Sequence, residues 1–183
     1  MQFTQSPLAG LWEIEVSPNG DDRGHFTRLF CSESFAVVRR DLRFVQCNLS
    51  LTTRSGTIRG LHFQHSPAAE AKLIRCIAGA VFDVAVDLRR ESPTFGKWHG
   101  VQLSAVNGRQ IFIPEGFAHG FQALSDNAQL LYQHTALHTP GCESGLLYSD
   151  PHLAIEWPLP VTTVSPRDAG LPCLNVAAAG FVA

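Results

Sequence analysis

No apolar run in this chain approaches the ~20 residues that a membrane span requires. Its opening, "MQFTQSPLAGLWEIEV", lacks the basic stretch and apolar core of a signal peptide. Charge is scarce too. Only 16% of residues are Asp, Glu, Lys or Arg, and the formal net charge is −2. A chain without a basic excess has no electrostatic footprint for nucleic acid, so neither nucleic acid nor membrane is expected as a partner. The five cysteines (Cys31, Cys47, Cys76, Cys142, Cys173) are odd in number and never spaced C-x-x-C. They read as free thiols packed as small hydrophobes, which places the protein in a reducing cytoplasm. Internal repeats and low-complexity tracts are absent. Tyrosine is nearly so, with only Tyr132 and Tyr148.

What is abundant is hydrophobic, at 45% of 183 residues, enough for one domain with a real core. The pattern is one of short strands. Residues 11–16, 80–89, 109–114, 128–135 and 145–150 alternate or run apolar with β-branched residues, and turn signals such as "SPNGDDRG", "ESPTFG" and "HTPGCESG" separate them. Turns about every ten residues predict an all-β sandwich or barrel of antiparallel sheets. One helix is expected at 33–42, capped by Ser32. From about Pro158 the chain reads as a C-terminal arm (158–183) laid over a single domain, with "NVAAAGFVA" fraying at its end.

His62, His65 and Lys72 fall within eleven positions, and His119 closes "GRQIFIPEGFAH". The G-x5-P-x-G-x2-H spacing of Gly108 to His119 resembles the second motif of cupin jelly rolls. In metal-binding cupins the first motif is H-x-H, which aims both rings to one side of a strand. Here His62 and His65 differ in parity and point to opposite faces. Gln64, not His65, would join His62, and His62, Gln64 and His119 make a poor set for zinc or iron. No metal is expected. Proton transfer suits these residues better, since an imidazole is a usable base at neutral pH. Tyr132 shares a strand face with Leu130 and His134. It is either an acid beside a histidine or a core tyrosine with a satisfied hydroxyl.

"DDRGHF", "VQCNLS", "IRGLHFQ", "AEAKLIRC", "GAVFDVAVDLRRESPTFGKW", "IFIPEGFAHGFQALSD", "YSDPHLAIEWP" and "SPRDAGLP" follow in order the pattern of the dTDP-4-dehydrorhamnose 3,5-epimerases, which the chain resembles from about residue 10 to 172. The resemblance implies a cupin-like jelly-roll homodimer that acts without metal or cofactor on a nucleotide-diphosphate sugar bearing a 4-keto-6-deoxy hexose. It implies His62 as general base, Asp168 as the acid that orients it, Tyr132 as the acid on the other face, and Lys72 as stabiliser of the C4 enolate. Arg23 and Arg59 correspond to pyrophosphate clamps, and Phe26, Gln46, Asn48, His119, Glu143 and Arg167 to further substrate contacts. Read blandly, Arg23 and Arg59 are surface ion-pair formers and Asp168 a turn or cap residue.

The pattern breaks at two substrate-contact positions. Arg28 stands where the family usually has a Glu that contacts thymine, and His138 where it usually has a Tyr that packs on the base. A carboxylate accepts from the thymine N3–H, whereas a guanidinium only donates. The catalytic set is intact and the base-reading set is altered. The altered set weakens the case for thymidine, but dTDP-4-dehydro-6-deoxy-D-glucose is still the leading substrate. A CDP- or GDP-linked sugar, mono-epimerisation, a keto-sugar isomerase, a metal cupin and a non-catalytic sugar-nucleotide binder are the alternatives. The strand at 11–16 is also a candidate to pair across two subunits, covering an edge.

Overall fold

The computed structural model describes residues 1–175. The fraying expected for the last residues concerns 176–183 and lies outside them. Thirteen strands form: β1 (Gln2–Gln5), β2 (Trp12–Glu15), β3 (Asn19–Asp21), β4 (Gly24–Phe26), β5 (Gln46–Thr52), β6 (Ile58–Gln64), β7 (Lys72–Ala78), β8 (Ala80–Asp87), β9 (Trp98–Ser104), β10 (Gln110–Ile113), β11 (Phe117–Ala123), β12 (Ala128–His134) and β13 (Glu143–Gly145). A six-stranded sheet, ordered β1-β2-β10-β7-β12-β5, faces a five-stranded sheet, ordered β13-β6-β11-β8-β9, and every strand pairing in both is antiparallel. The fold is a cupin-like jelly roll. No helix among the described residues is long and apolar enough to cross a membrane.

The two sheets close because their inward positions are apolar. Ile74, Cys76, Val81, Ala85, Leu103, Phe121 and Leu130 form one buried cluster, against which Tyr132 packs. Each fully buried Leu or Ile contributes roughly 1.5–3 kcal/mol. Tyr132 thus stands at the border between core and cavity.

Three expectations change. The helix at 33–42 is a single 3-10 turn, Ser34–Val37, without a side-chain cap. Phe35 is wholly buried against Phe3 and Phe30, with ring centroids at 5.0 and 4.9 Å, while Val37 points to solvent. One buried anchor holds a turn, and an uncapped helix without a continuous apolar face does not propagate. The strand expected at 145–150 is Glu143–Gly145 instead. Leu146 still exchanges backbone bonds with Leu61, but Leu147 turns to Pro172, and buried Asp150 accepts the backbone N–H groups of His152 and Leu174. Such a side-chain-closed turn competes with strand extension. Finally, β2 has no free edge for a second subunit, because β1 and β10 flank it in the same chain.

One irregularity positions the site. Strand β11 pairs with β6 at His119–His62 and at Phe121–Arg59. Two residues of β6, Gly60 and Leu61, therefore oppose the single Gly120, which is a β-bulge. Arg59 and His62, three apart, would point oppositely in a regular strand, yet here they share a face. Gly60 has φ +119°, and a Cβ there would lie 2.5 Å from Gly120 Cα and 2.8 Å from the His119 carbonyl oxygen. The dihedral alone would cost another residue about 1–3 kcal/mol, and the overlap adds to it.

Candidate active site

Beside the bulge lies a cavity of about 530 Å3. One wall carries Arg59 and His62 of β6 with His119 and Phe121 of β11. The facing wall carries Lys72 of β7, Tyr132 and His134 of β12, and Asn48 and Ser50 of β5. Register explains the second wall. Tyr132 pairs with both Asn48 and Ile74, and His134 with both Gln46 and Lys72, so these side chains rise from one face in two adjacent rows.

Asp168 arrives from far along the chain. Residues 162–163 run beside Gly56–Ile58, with Ile58 N donating to the Thr163 carbonyl at 2.9 Å. Next comes a one-turn helix, α1 (Pro166–Ala169), whose cap Ser165 accepts from Asp168 N. The buried Asp168 carboxylate takes the Gly60 N–H at 3.1 Å on one oxygen and His62 Nε2 at 2.8 Å on the other. Burial resists its charge, but the hydrogen bonds from Gly60 and His62 prevail and hold it below the ordinary carboxylate value. An ionised carboxylate can only accept. His62 therefore carries its proton on Nε2, and Nδ1 keeps its lone pair. Burial also acts on the imidazole, and it outweighs the opposing pull of Asp168, so His62 titrates below its ordinary 6.5. It is a neutral base at pH 7.

Tyr132 is the converse. Burial pushes its phenol well above the ordinary value, so it stays protonated, with its hydroxyl 3.2 Å from Ser50 Oγ. Its ring meets His119 edge-on at 6.1 Å and stacks on His134 at 6.0 Å. His119 is fixed in turn by Asp83, at 3.0 and 3.1 Å. A neutral base on one wall and a protonated acid on the other suit proton removal and return at opposite faces of one molecule. Among the described residues, no group of three His, Cys, Asp or Glu is arranged to hold a metal.

A side lobe of the cavity gathers Gln46, His138, Glu143 and Arg167. Glu143 bonds His138 Nε2 through one oxygen and Arg167 Nη2 through the other, the latter at 2.5 Å, and Gln46 Oε1 accepts the His138 N–H at 3.0 Å. Gln64 lines the same lobe on the His62 side, as its parity predicts, and pins the loop at Leu137 and Thr139. Arg59 is braced by Thr52 Oγ1 and the Leu51 carbonyl, each at 3.1 Å.

Three expected substrate contacts stand elsewhere. Arg23 lies on the β3–β4 hairpin, with its side chain 89% exposed and paired to Asp21. Phe26, 71% exposed, and Arg28 line a separate hollow beside Met1 and Ser34. A hairpin paired only to itself has no register to carry them to the cavity within one chain. Conversely, no sequence signal marks Ser50, Asp83 or Glu70, and alternation marks His134 only as a neighbour of Tyr132. Glu70 sits in the turn before β7 and pairs with both Lys72 and His134.

The family profile for dTDP-4-dehydrorhamnose 3,5-epimerase matches residues 5–175. The chain is 51% identical over 166 residues to the dTDP-4-dehydrorhamnose 3,5-epimerase of Shigella flexneri, covering 90% of each protein. It is 44% identical over 169 residues to a dTDP-4-dehydrorhamnose 3-epimerase of Streptomyces niveus, covering 92% of this chain and 81% of that one. Among solved structures it is similar to the dTDP-6-deoxy-D-glucose-3,5-epimerase of Legionella pneumophila in complex with dTDP-4-keto-L-rhamnose. That match has a TM-score of 0.91 and 43% identity, and it covers 96% of this chain and 94% of the other. Fold, cavity and sequence agree: this is an isomerase acting on carbohydrate, and the chain belongs to the dTDP-4-dehydrorhamnose 3,5-epimerase family.

Proposed function

We propose that the protein inverts C3 and C5 of dTDP-4-dehydro-6-deoxy-D-glucose to give dTDP-4-dehydro-L-rhamnose, by proton transfer through an enolate and without a cofactor. The observation that carries this reading is the placement of the His62–Asp168 pair and of Tyr132 on facing walls of one cavity. The C4 ketone acidifies the hydrogens on C3 and C5. His62 Nδ1 takes one of them, and the C–H electron pair moves into an enolate whose charge rests on the C4 oxygen. Lys72 stabilises that oxygen as charge develops. Tyr132 delivers its hydroxyl proton to the opposite face of the carbon, and the C–H bond forms as the enolate collapses. Solvent then reprotonates the phenolate and takes the proton from His62. Arg59 and Arg167 hold the diphosphate, for which a guanidinium fork is well shaped.

The test is solvent exchange in D2O with that sugar nucleotide. Deuterium is expected at both carbons. Exchange at C3 alone would mark a 3-epimerase, the activity named for the Streptomyces niveus relative, and exchange at neither carbon refutes the substrate. Competition by dTDP, CDP and GDP then reads which base Arg28 and His138 select.

The pH profile should carry the mark of the base. The acid limb of kcat/KM reports the free enzyme, and burial of the imidazole places it below 6.5. Asp168 favours the imidazolium, so Asp168→Asn removes a stabiliser of the protonated form. The limb should move further to the acid side, while the plateau falls by about 10^2-fold or more. A limb displaced towards alkali would contradict the pairing.

We further propose a homodimer of this chain. Val45, Leu49 and Leu51 are all exposed on the outer face along the edge strand β5 and its entry, and Ile77 is exposed on the same face of β7. Nearby, Nη1 of Arg75 is buried without a hydrogen-bond partner. Apolar patches and orphaned polar groups of this kind are normally covered. A second copy would also account for Arg23, Phe26 and Arg28, which reach no cavity in their own chain. Sedimentation equilibrium should give twice the 20.0 kDa chain mass, falling to the single-chain value in Leu49→Asp. A wild-type mass of one chain refutes the dimer.

A further inference from the structure

Two side chains that no step above uses join Lys72 to Asn48 along the cavity wall. Glu70 lies two residues before Lys72, with its side chain only 10% exposed. Lys72 Nζ stands 3.3 Å from one of its oxygens and His134 Nδ1 2.8 Å from the other. On the far side of the ring, His134 Nε2 lies 3.3 Å from Asn48 Nδ2. The same ring is stacked on Tyr132 with an interplanar angle of 20°.

The order of donors along this row follows from Glu70. Burial works against its charge, but the hydrogen bond from His134 and the positive charge of Lys72 hold its carboxyl below the ordinary value. An ionised carboxylate accepts from both neighbours, so His134 must carry its proton on Nδ1. The Asn48 amide turns its nitrogen to Nε2, and an NH2 group only donates, so Nε2 is the acceptor. The carbonyl oxygen of Asn48 is left for a ligand.

We propose that Glu70 and His134 are positioning residues for the epimerisation: Glu70 aims the Lys72 ammonium, and His134 fixes which end of the Asn48 amide meets the sugar nucleotide. The inference rests on the reading of the cavity given above, in which Lys72 and Asn48 contact substrate. Glutamine cannot replace Glu70, because it has one accepting end and one donating end. If it accepts from Lys72, its NH2 group meets His134 Nδ1, which forces the ring proton to Nε2 and turns the Asn48 amide over. If it accepts from His134, its NH2 group meets the ammonium and Lys72 loses its tether.

Three variants and two readouts test this. Glu70→Gln should lower kcat about tenfold or more, since small displacements of a catalytic group are costly. Glu70→Asp, which keeps two accepting oxygens, should recover most of that loss. His134→Phe keeps a ring on Tyr132 but releases Asn48, so it should raise KM more than it lowers kcat. The second readout is the 15N spectrum of His134, which should show the proton on Nδ1 in the wild type and displaced towards Nε2 in Glu70→Gln. Unchanged kcat and KM in Glu70→Gln, failure of Asp to restore the rate, or a wild-type proton on Nε2 would each overturn the proposal. If the wild-type enzyme neither exchanges nor epimerises the dTDP sugar, the substrate reading fails. The tautomer of His134 then decides the relay by itself, as it also does if a variant fails to fold.

Discussion

Replacing His62 with Asn should cut both deuterium exchange and epimerisation by about 10^3-fold or more, the upper range for loss of a positioned general base. The reason lies in what Asn lacks. Its amide is too short to reach Asp168 as Nε2 does, and its carbonyl is far too weak a base to take a proton from carbon. Tyr132 offers no substitute, because burial holds its phenol protonated. The other imidazoles of the cavity are committed, His119 to Asp83 and His134 to Glu70 and Asn48. The fold should survive, since His62 is partly open to the cavity and the Asp168 carboxylate keeps its bond from Gly60. An unchanged melting temperature with lost exchange is the expected pair of results. Exchange retained within about tenfold of wild type would remove His62 from the mechanism.

Tyr132→Phe should separate two events that the wild-type enzyme joins. His62 can still take a proton, trade it with solvent and give it back to the same face, so deuterium should continue to enter the substrate. Inversion needs a donor on the other wall and should fall by about 10^2-fold or more. Starting sugar recovered with deuterium at the acidic carbons, but with its configuration retained, is the expected result. Phe preserves the ring contacts with His119 and His134 and costs only the hydroxyl's bond to Ser50. If inversion persists at the wild-type rate, the phenol is not the acid. If exchange falls as far as inversion, Tyr132 acts on the first proton transfer as well.

Much of this site is legible in the sequence. The rule of alternation correctly put Gln64 and His62 on one side of β6 and grouped Tyr132 with His134 on β12. The same rule fails for Arg59 and His62. They share a face only because Gly60 and Leu61 oppose Gly120, and a bulge depends on what a neighbouring strand does sixty residues later. Resemblance, not periodicity, brought those two residues together. Glu70 was missed for a related reason. "SPAAEAK" has no periodic signal, and the role of the carboxylate depends on His134, a partner 64 positions away. The helix read at 33–42 shrank to one turn because Phe35 is buried while Val37 is not. For Arg23, Phe26 and Arg28 the resemblance suggested contacts that one chain does not assemble.

The strip from Thr162 to Asp168, clipped to Gly56 and to Ile58 and Gly60 of β6, has a consequence for the order of events in the cell. Strands leave the ribosome from the amino end, so both sheets can close while Asp168 is still inside the exit tunnel. At that stage the barrel is an unarmed shell, with a histidine that no carboxylate orients. The carboxylate reaches the ring last, when a seven-residue strap settles beside β6.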